Sequence, residues 1–186
     1  MQRRKQQIIM IVIIGVLGAL LILFSVKVLW KQWGFKNYVN NAYGFSMKYP
    51  ASWNYKENVD GAAVVFFAPP ENALDIFAEN VNVVVQNLSA KRMSLKQYTD
   101  IAIDQMKAVF GDNLEILQSE PMSLSGEFGY KFVFIGKGPQ GNFKFWCSWT
   151  MKDKNAYQVT YAALFPQYDK YIGQVEGMVK SFRVRR

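Results

Sequence analysis

The sequence predicts an α+β protein, in which an N-terminal transmembrane helix precedes an antiparallel β-sheet flanked by helices as an α/β/α sandwich. Three observations lead to this class: one long apolar run near the N-terminus, later segments in which apolar and polar residues alternate, and two segments with apolar residues at helical spacing. Short turns between the alternating segments indicate antiparallel pairing, and two amphipathic helices have to bury their apolar stripes against the sheet.

The first element is the apolar run from Ile8 to Trp30. As a helix it would span about 34 Å, which is enough to cross a hydrocarbon core of about 30 Å. The run is longer than the h-region of a cleavable signal peptide, and no small-residue cleavage site follows it. A lipoprotein would need a cysteine directly after the run, and a soluble core helix would need a polar face, which is absent before Lys27. We therefore expect an uncleaved, single-pass signal anchor.

The residues around this span predict its orientation. Arg3, Arg4 and Lys5 precede it and favour a cytoplasmic N-terminus, while Trp30 and Trp33 lie where an interfacial aromatic belt is expected. The expected location is the cell membrane, with the following domain on the extracytoplasmic side: periplasmic, lumenal or cell-surface. The predicted organisation is a basic cytoplasmic tail over 1–7, the anchor over 8–30, a short tether over 31–40, and an extracytoplasmic domain over 41–186 with a basic C-terminal tail.

After the tether the pattern is that of strands and turns. Alternating or apolar segments bounded by proline, glycine or polar turns predict strands, over 45–50, 53–55, 62–68, 80–88, 114–118, 128–134, 143–151 and 157–163. In the sixth of these, Phe128, Tyr130, Phe132 and Phe134 share one face. The turn over 138–141 has proline at its second position and glycine at its fourth, as a type I turn prefers.

Two segments have helical periodicity. Ser94 is the expected N-cap of the first helix, whose apolar stripe runs from Leu95 to Phe110 before Gly111 ends it. The second begins near Pro166, and its apolar stripe consists of Tyr168, Ile172, Val175, Val179 and Phe182.

Composition excludes several functions. The net charge is +8, but six of the 22 basic residues and none of the 14 acidic ones lie within residues 1–36. The remainder carries 16 basic and 14 acidic residues, a net charge of +2, so nucleic acid is not an expected partner. The chain has no histidine and one cysteine, which excludes histidine-dependent catalytic triads and intramolecular disulfides.

The order of these elements resembles a known family. The opening Tyr43–Trp53, GFSMKYPASW after its tyrosine, looks like the start of PsbP-like domains, which have the Mog1/PsbP fold. The strand before Pro69, the NVNVVV strand, the SLKQYTD helix start and the closing MVKSF follow in the same order, so the resemblance covers residues 41–184. It implies an antiparallel sheet between helices, and an extrinsic subunit or envelope protein without an assigned activity. The best-known member of the family is an extrinsic subunit of photosystem II, which works through an N-terminal extension and histidine-containing surfaces. Here a membrane helix is expected in place of the extension and there is no histidine, so no functional residue is carried over.

Candidate chemistry is sparse. Cys147 could be a nucleophile, but it stands on an apolar strand face without an activating histidine, so we interpret it as a small core residue. Asp100 and Asp104 share one helical face with Gln97 and Lys107, which favours a solvated polar face over a metal site. No catalytic, cofactor or metal site is expected, and Asn87 begins a glycosylation sequon.

Residues for partner contact are few. Trp146 precedes Cys147 on the same predicted strand, so its side chain points to the opposite face of the sheet. If a helix covers that face, Trp146 is a core residue; if no helix does, Trp146 is an exposed anchor for a partner or the membrane. Arg183, Arg185 and Arg186 end the chain as a second candidate contact. A binder of anionic polymer through this tail is a weaker interpretation, because the domain carries only +2.

The expected function is a non-enzymatic, membrane-anchored accessory, assembly or protein-binding module, acting at the extracytoplasmic surface within a membrane protein complex. The alternative is an envelope ligand-binding or enzymatic domain with a pocket between sheet and helix. A pocket with convergent polar groups would favour the alternative, whereas a filled aromatic core and an exposed patch would favour the accessory role.

Overall fold

The structure, a computed structural model, describes residues 34–72, 75, 77–138 and 141–185. These residues form ten strands and two α-helices, here named α1 and α2. The strands are β1 Phe35–Asn40, β2 Phe45–Pro50, β3 Asn54–Val59, β4 Ala62–Phe67, β5 Asn80–Asn87, β6 Leu114–Leu124, β7 Glu127–Gly138, β8 Gly141–Lys152, β9 Asn155–Leu164 and β10 Arg183–Val184. Helix α1 spans Leu95–Phe110 and α2 spans Tyr168–Ser181.

Two sheets organise these strands. Seven strands form a large sheet in the order β3-β4-β5-β9-β8-β7-β6, and every pair in it is antiparallel. A smaller sheet has the order β1-β2-β10. The hairpin from β6 to β7 turns through Ser125 and Gly126, both at positive φ, as a two-residue turn requires. The predicted α+β class, with antiparallel strands and two helices, is confirmed.

The helices lie on opposite faces of the large sheet. On one face, Tyr98 and Ala102 of α1 pack against an aromatic layer that includes Phe132 and Trp149. Gly136 has no side chain, so the ring of Phe110 can lie directly on the strand there; a Cβ on that glycine would stand 2.3 Å from the ring. This close approach fixes the C-terminal end of α1 on β7.

The other face carries α2 and the small sheet. The Tyr161 hydroxyl donates to the carbonyl of Tyr168 at the start of α2, at 3.0 Å. The ring of Phe45 in β2 packs 5.6 Å from that of Phe182, which in turn lies 6.3 Å from Tyr157 of β9. Phe45 and Phe182 are fully buried, so the C-terminal end of α2 packs against both sheets.

The caps of α1 agree with the predicted ones. The Ser94 hydroxyl accepts from the backbone N–H of Gln97 at 3.2 Å, and the Gln97 side chain accepts from the N–H of Ser94 at 2.8 Å. This reciprocal capping box satisfies two backbone donors that the first turn leaves without partners. The apolar stripe is narrower than predicted, because Val109 is 75% exposed.

Several boundaries differ from the sequence-based expectations, including those of β3 and β7, which both end four residues later than predicted. Residues 35–40, expected within the tether, form strand β1, and β6 continues through Pro121 to Leu124 instead of ending before it. Arg183 and Val184, expected in a C-terminal tail, form β10 and pair with β2. Burial of the side chain of Val184 favours this strand over a solvated tail.

The predicted anchor lies outside the residues that the structure describes. That holds for the span 8–30 and for Arg3, Arg4, Lys5, Trp30 and Trp33. Across 34–72, 75, 77–138 and 141–185, no helix combines the length and apolar character needed to cross a membrane.

Candidate functional site: a basic cleft and an apolar patch

A cleft of about 540 Å³ lies where the outer face of the small sheet meets the C-terminal end of α2. We call it the basic cleft, because the described residues that line it include Lys48, Lys180, Arg183 and Arg185 and no Asp or Glu. Alternation along β2 buries Met47 and leaves Lys48 exposed, which aims the lysine away from the core. Pairing of Arg183 with Ser46 brings the C-terminal residues beside the same strand.

Hydrogen bonds hold the walls of the basic cleft. The Ser181 hydroxyl accepts from the backbone N–H of Lys48 at 2.8 Å and donates to the carbonyl of Met178 at 2.7 Å, so it connects β2 to the last turn of α2. The Arg183 guanidinium donates to the carbonyls of Lys180 and Phe182 at 2.8 and 2.7 Å. Arg183 therefore covers the carbonyl end of the helix, where the macrodipole is negative.

Sequence analysis identified only part of this cleft. Arg183 and Arg185, both predicted contact residues, lie in it, and Arg186 falls outside the described residues. Lys48 and Lys180 were missed, because their separation in sequence hides a convergence that depends on the pairing of β2 with β10. The period-two pattern of β2 was a usable signal for Lys48, since it places that lysine on the solvent side.

A second surface lies beyond the N-terminal end of α1, on the same face of the large sheet. Phe128 shares its strand face with the buried Phe132, yet it is 90% exposed. On the neighbouring strand β8, Met151 points to this face and lines a depression of about 360 Å³ that also includes Leu88 and Met93. We call Phe128, Met151, Leu88 and Met93 the apolar patch; Arg92, Asp153 and Lys154 also line the depression.

Trp146 is not an exposed anchor. It is 8% exposed, and its indole N–H donates to the Ser148 hydroxyl at 2.7 Å. The ammonium of Lys131 lies 4.7 Å from the centre of its ring. Of the two interpretations of Trp146, the core residue is the one that its burial supports.

A third depression, of about 320 Å³, lies between β6, β7, β8 and α2, next to Trp146. This is the kind of place where the alternative function would put a ligand pocket. Lys144 stands 4.1 Å from the centre of the Tyr168 ring and 4.0 Å from the carboxylate of Asp169. The ammonium of Lys131 stands 4.7 Å from the centre of the Trp146 ring, and Glu176 pairs with Lys180 at 3.3 Å. The charged groups among the described lining residues therefore already have partners within the protein.

The remaining candidates have structural roles. Cys147 is 2% exposed, and burial raises the pKa of its thiol to about 12, so it is protonated at neutral pH. Asp100 pairs with Lys96 at 2.7 Å and Asp104 with Lys107 at 3.6 Å, on the exposed side of α1. Within the described ranges, no group of three or more His, Cys, Asp or Glu residues is arranged to hold a metal ion.

Comparison with known proteins identifies the family. The PsbP family model matches residues 33–184, and no curated protein matches the sequence. The fold is similar to that of cyanobacterial PsbP (CyanoP) from Synechocystis sp. PCC 6803, with a TM-score of 0.59, 18% identity, and coverage of 81% of this chain and 92% of that one.

Two further solved structures share this fold at lower sequence identity. LpqN, involved in cell envelope biogenesis of Mycobacterium tuberculosis, has a TM-score of 0.63 at 8% identity, over 82% of this chain and 92% of its own. The Ran-binding protein Mog1p of Saccharomyces cerevisiae has a TM-score of 0.56 at 11% identity, over 81% and 95%. These likenesses show that the chain has the same fold. The family match over residues 33–184 shows that the chain belongs to the PsbP family.

Proposed function

We propose that this chain is a non-enzymatic, membrane-anchored accessory module, which binds a protein partner in a membrane complex at the extracytoplasmic surface. The exposure of Phe128 carries the proposal: the residue is 90% exposed, although Phe132 and Phe134 on the same strand face are buried. A large aromatic side chain left in water, on the sheet face where Leu88, Met93 and Met151 line a depression, is typical of a protein-binding surface.

The surroundings of Phe128 support a protein as the ligand. Met93 and Met151 in the apolar patch are unbranched and polarisable, so they can adjust to the shape of a partner. Arg92, Asp153 and Lys154 beside them supply both signs of charge, as expected for the polar rim of an interface. The similar folds of CyanoP, a cyanobacterial PsbP, and of LpqN, which is involved in cell envelope biogenesis, are compatible with this role.

The anchor would add to a weak interface of this kind. Confinement of two proteins to one membrane raises their effective concentration, and linked binding can gain roughly 10²–10⁴ in avidity. A patch with one fully exposed aromatic residue would then suffice. The predicted span 8–30 and its basic flank are the basis for the anchor and its orientation.

Site-specific photo-crosslinking tests the interface in the full-length chain. A benzophenone amino acid in place of Phe128 should capture one membrane-complex subunit in intact cells. The matched control is the same substitution at Val109, which is 75% exposed on α1 and lies outside the apolar patch. Reciprocal purification through the captured subunit should recover the chain, and Phe128→Ser should reduce this recovery at least about tenfold while Val109→Ser leaves it unchanged. Equal crosslinking from both positions would contradict the proposal.

The anchor is tested separately. Protease added to intact spheroplasts should digest a C-terminal tag, because we place the domain outside the cytoplasm. Replacement of residues 8–30 by a foreign transmembrane helix should preserve recovery of the partner, and deletion of the span should abolish it. A protected tag would contradict the orientation, and a mature chain that begins beyond Trp30 would contradict the anchor.

A further inference from the structure

Among the described residues, the basic cleft has an excess of cations over anions. Lys180 forms an exposed pair with Glu176 at 3.3 Å, a contact that solvent screening weakens. Within the described part of the chain, Lys48, Arg183 and Arg185 form no ion pair. The domain as a whole is nearly balanced, so this concentration of one sign is a local feature.

The fold brings these cations close together, and their mutual repulsion lowers the stability of the fold. Lys48, Lys180 and Arg185 line one opening of about 540 Å³, where like charges repel each other. Binding of anions there would relieve the repulsion. The Arg183 guanidinium, bonded to the carbonyls of Lys180 and Phe182, partly offsets the negative charge at the C-terminal end of α2.

We propose that the basic cleft binds the phosphate-bearing headgroups of anionic phospholipids in the membrane that holds the anchor. This inference rests on the proposed anchoring. Asn37 and Val39 of β1 line the cleft, and the residues between Trp30 and Asn37 can extend no further than about 25 Å. The expected anchor is therefore joined to a residue that lines the cleft by a short length of chain.

The shape of the basic cleft favours a lipid surface over a free anion. The cations line a broad opening between a sheet and a helix end, and Val39, which is 41% exposed, lies among them. An apolar side chain beside several cations suits the boundary between headgroups and acyl chains. Basic residues at an anionic bilayer each add to the attraction, and this attraction is screened by salt.

The experiment uses the full-length chain in nanodiscs of phosphatidylcholine, with or without about 30% phosphatidylglycerol. The readout is the rate at which acetic anhydride modifies Lys180, measured by mass spectrometry, with Lys96 on α1 as the internal reference. We expect modification of Lys180 to be at least about threefold slower in the anionic discs, with protection lost at high salt. Equal rates in the two kinds of disc would overturn the proposal.

Variants and a second anion complete the test. Lys48→Gln with Arg185→Gln should abolish most of the protection of Lys180, because the two changes remove two cations from the basic cleft. The fold should persist, since the hydrogen bond from Arg185 to the carbonyl of Gly44 is made by the backbone N–H and survives the change. The control pair, Lys91→Gln with Lys107→Gln, removes the same charge elsewhere and should leave the protection intact. Inorganic phosphate added to phosphatidylcholine discs should protect little, and equal protection would identify a free-anion site and overturn the lipid assignment.

Failure of the anchor gives a different result from failure of the cleft. If the chain does not remain inserted in either kind of disc, the anchor is contradicted. In that case vesicles of the same two lipid compositions, added to the chain, still test whether the cleft binds anionic headgroups. A chain that stays with both discs but shows no lipid-dependent protection contradicts the cleft alone.

Discussion

The hydrogen bond between Trp149 and Thr99 should be the strongest single polar link between α1 and the large sheet. The indole N–H of Trp149 donates to the Thr99 hydroxyl at 2.8 Å, and the two residues are 2% and 6% exposed. Thr99→Val preserves the shape of the side chain and removes the acceptor. Water cannot replace it at a buried site, so the indole N–H would lose its partner.

The expected cost follows from that burial. A buried donor without a partner costs about 1–3 kcal/mol, and for a domain of this size each kcal/mol lowers the melting temperature by about 2–4 °C. Thr99→Ser is the matched control, because it keeps the hydroxyl and loses one methyl group, at about 0.8 kcal/mol. We therefore expect Thr99→Val to be the less stable variant when full-length protein in mild detergent is unfolded by heat and followed by near-UV circular dichroism.

A double-mutant cycle isolates the bond. In a Trp149→Phe background the donor is absent, so Thr99→Val should cost little or even stabilise the fold. If the valine variant is as stable as the serine variant in the native background, or costs the same in both backgrounds, the bond does not hold α1 in the way described.

Two further predictions concern buried titratable groups. Cys147→Ala should lower the free energy of unfolding by on the order of 1 kcal/mol through a small cavity, and it should leave recovery of the partner unchanged. Alkylation of native Cys147 at neutral pH should be far slower than that of the unfolded chain. Rapid alkylation would reveal an accessible, reactive thiol. Glu79 is 1% exposed and burial raises its pKa, so the contribution of Glu79 to the stability of the fold is greatest below about pH 4.3, the unfolded value, and decreases as pH rises through the folded pKa. Glu79→Gln should remove this loss. In denaturant titrations, the free energy of unfolding of the variant should therefore rise relative to that of the native protein between pH 4 and pH 8. A difference that does not depend on pH would contradict the assignment.

The elements that sequence alone predicted are those with strong local signals. Helix α1 was predicted with both ends, because the Ser94 cap, the apolar period and Gly111 are all encoded within about 18 residues. The long strands β7, β8 and β9 likewise have alternating patterns that need no knowledge of their neighbours. The sequence did not decide whether Trp146 is buried, because its burial depends on which faces of the sheet the helices cover.

Elements that depend on distant partners were missed. Strand β1 is short and mixed in composition, and β10 has two residues, so their conformation depends on pairing within the small sheet. The basic cleft exists only after that pairing, which explains why Lys48 and Lys180 were not identified. Alternation placed Phe128 on the correct face, but it could not show that α1 leaves the end of that face uncovered.

The two proposed surfaces are placed so that one does not exclude the other. The apolar patch lies on the face of the large sheet that carries α1, because Phe128 shares the alternation of Phe132. The basic cleft lies on the outer side of the small sheet, which packs against the opposite face through Phe45 and Phe182. Headgroups bound in the cleft would therefore hold the domain with Phe128 on the other side of the large sheet. A tether with a second lipid contact restricts rotation as well as position, which lowers the entropy that the domain loses when a partner docks on Phe128.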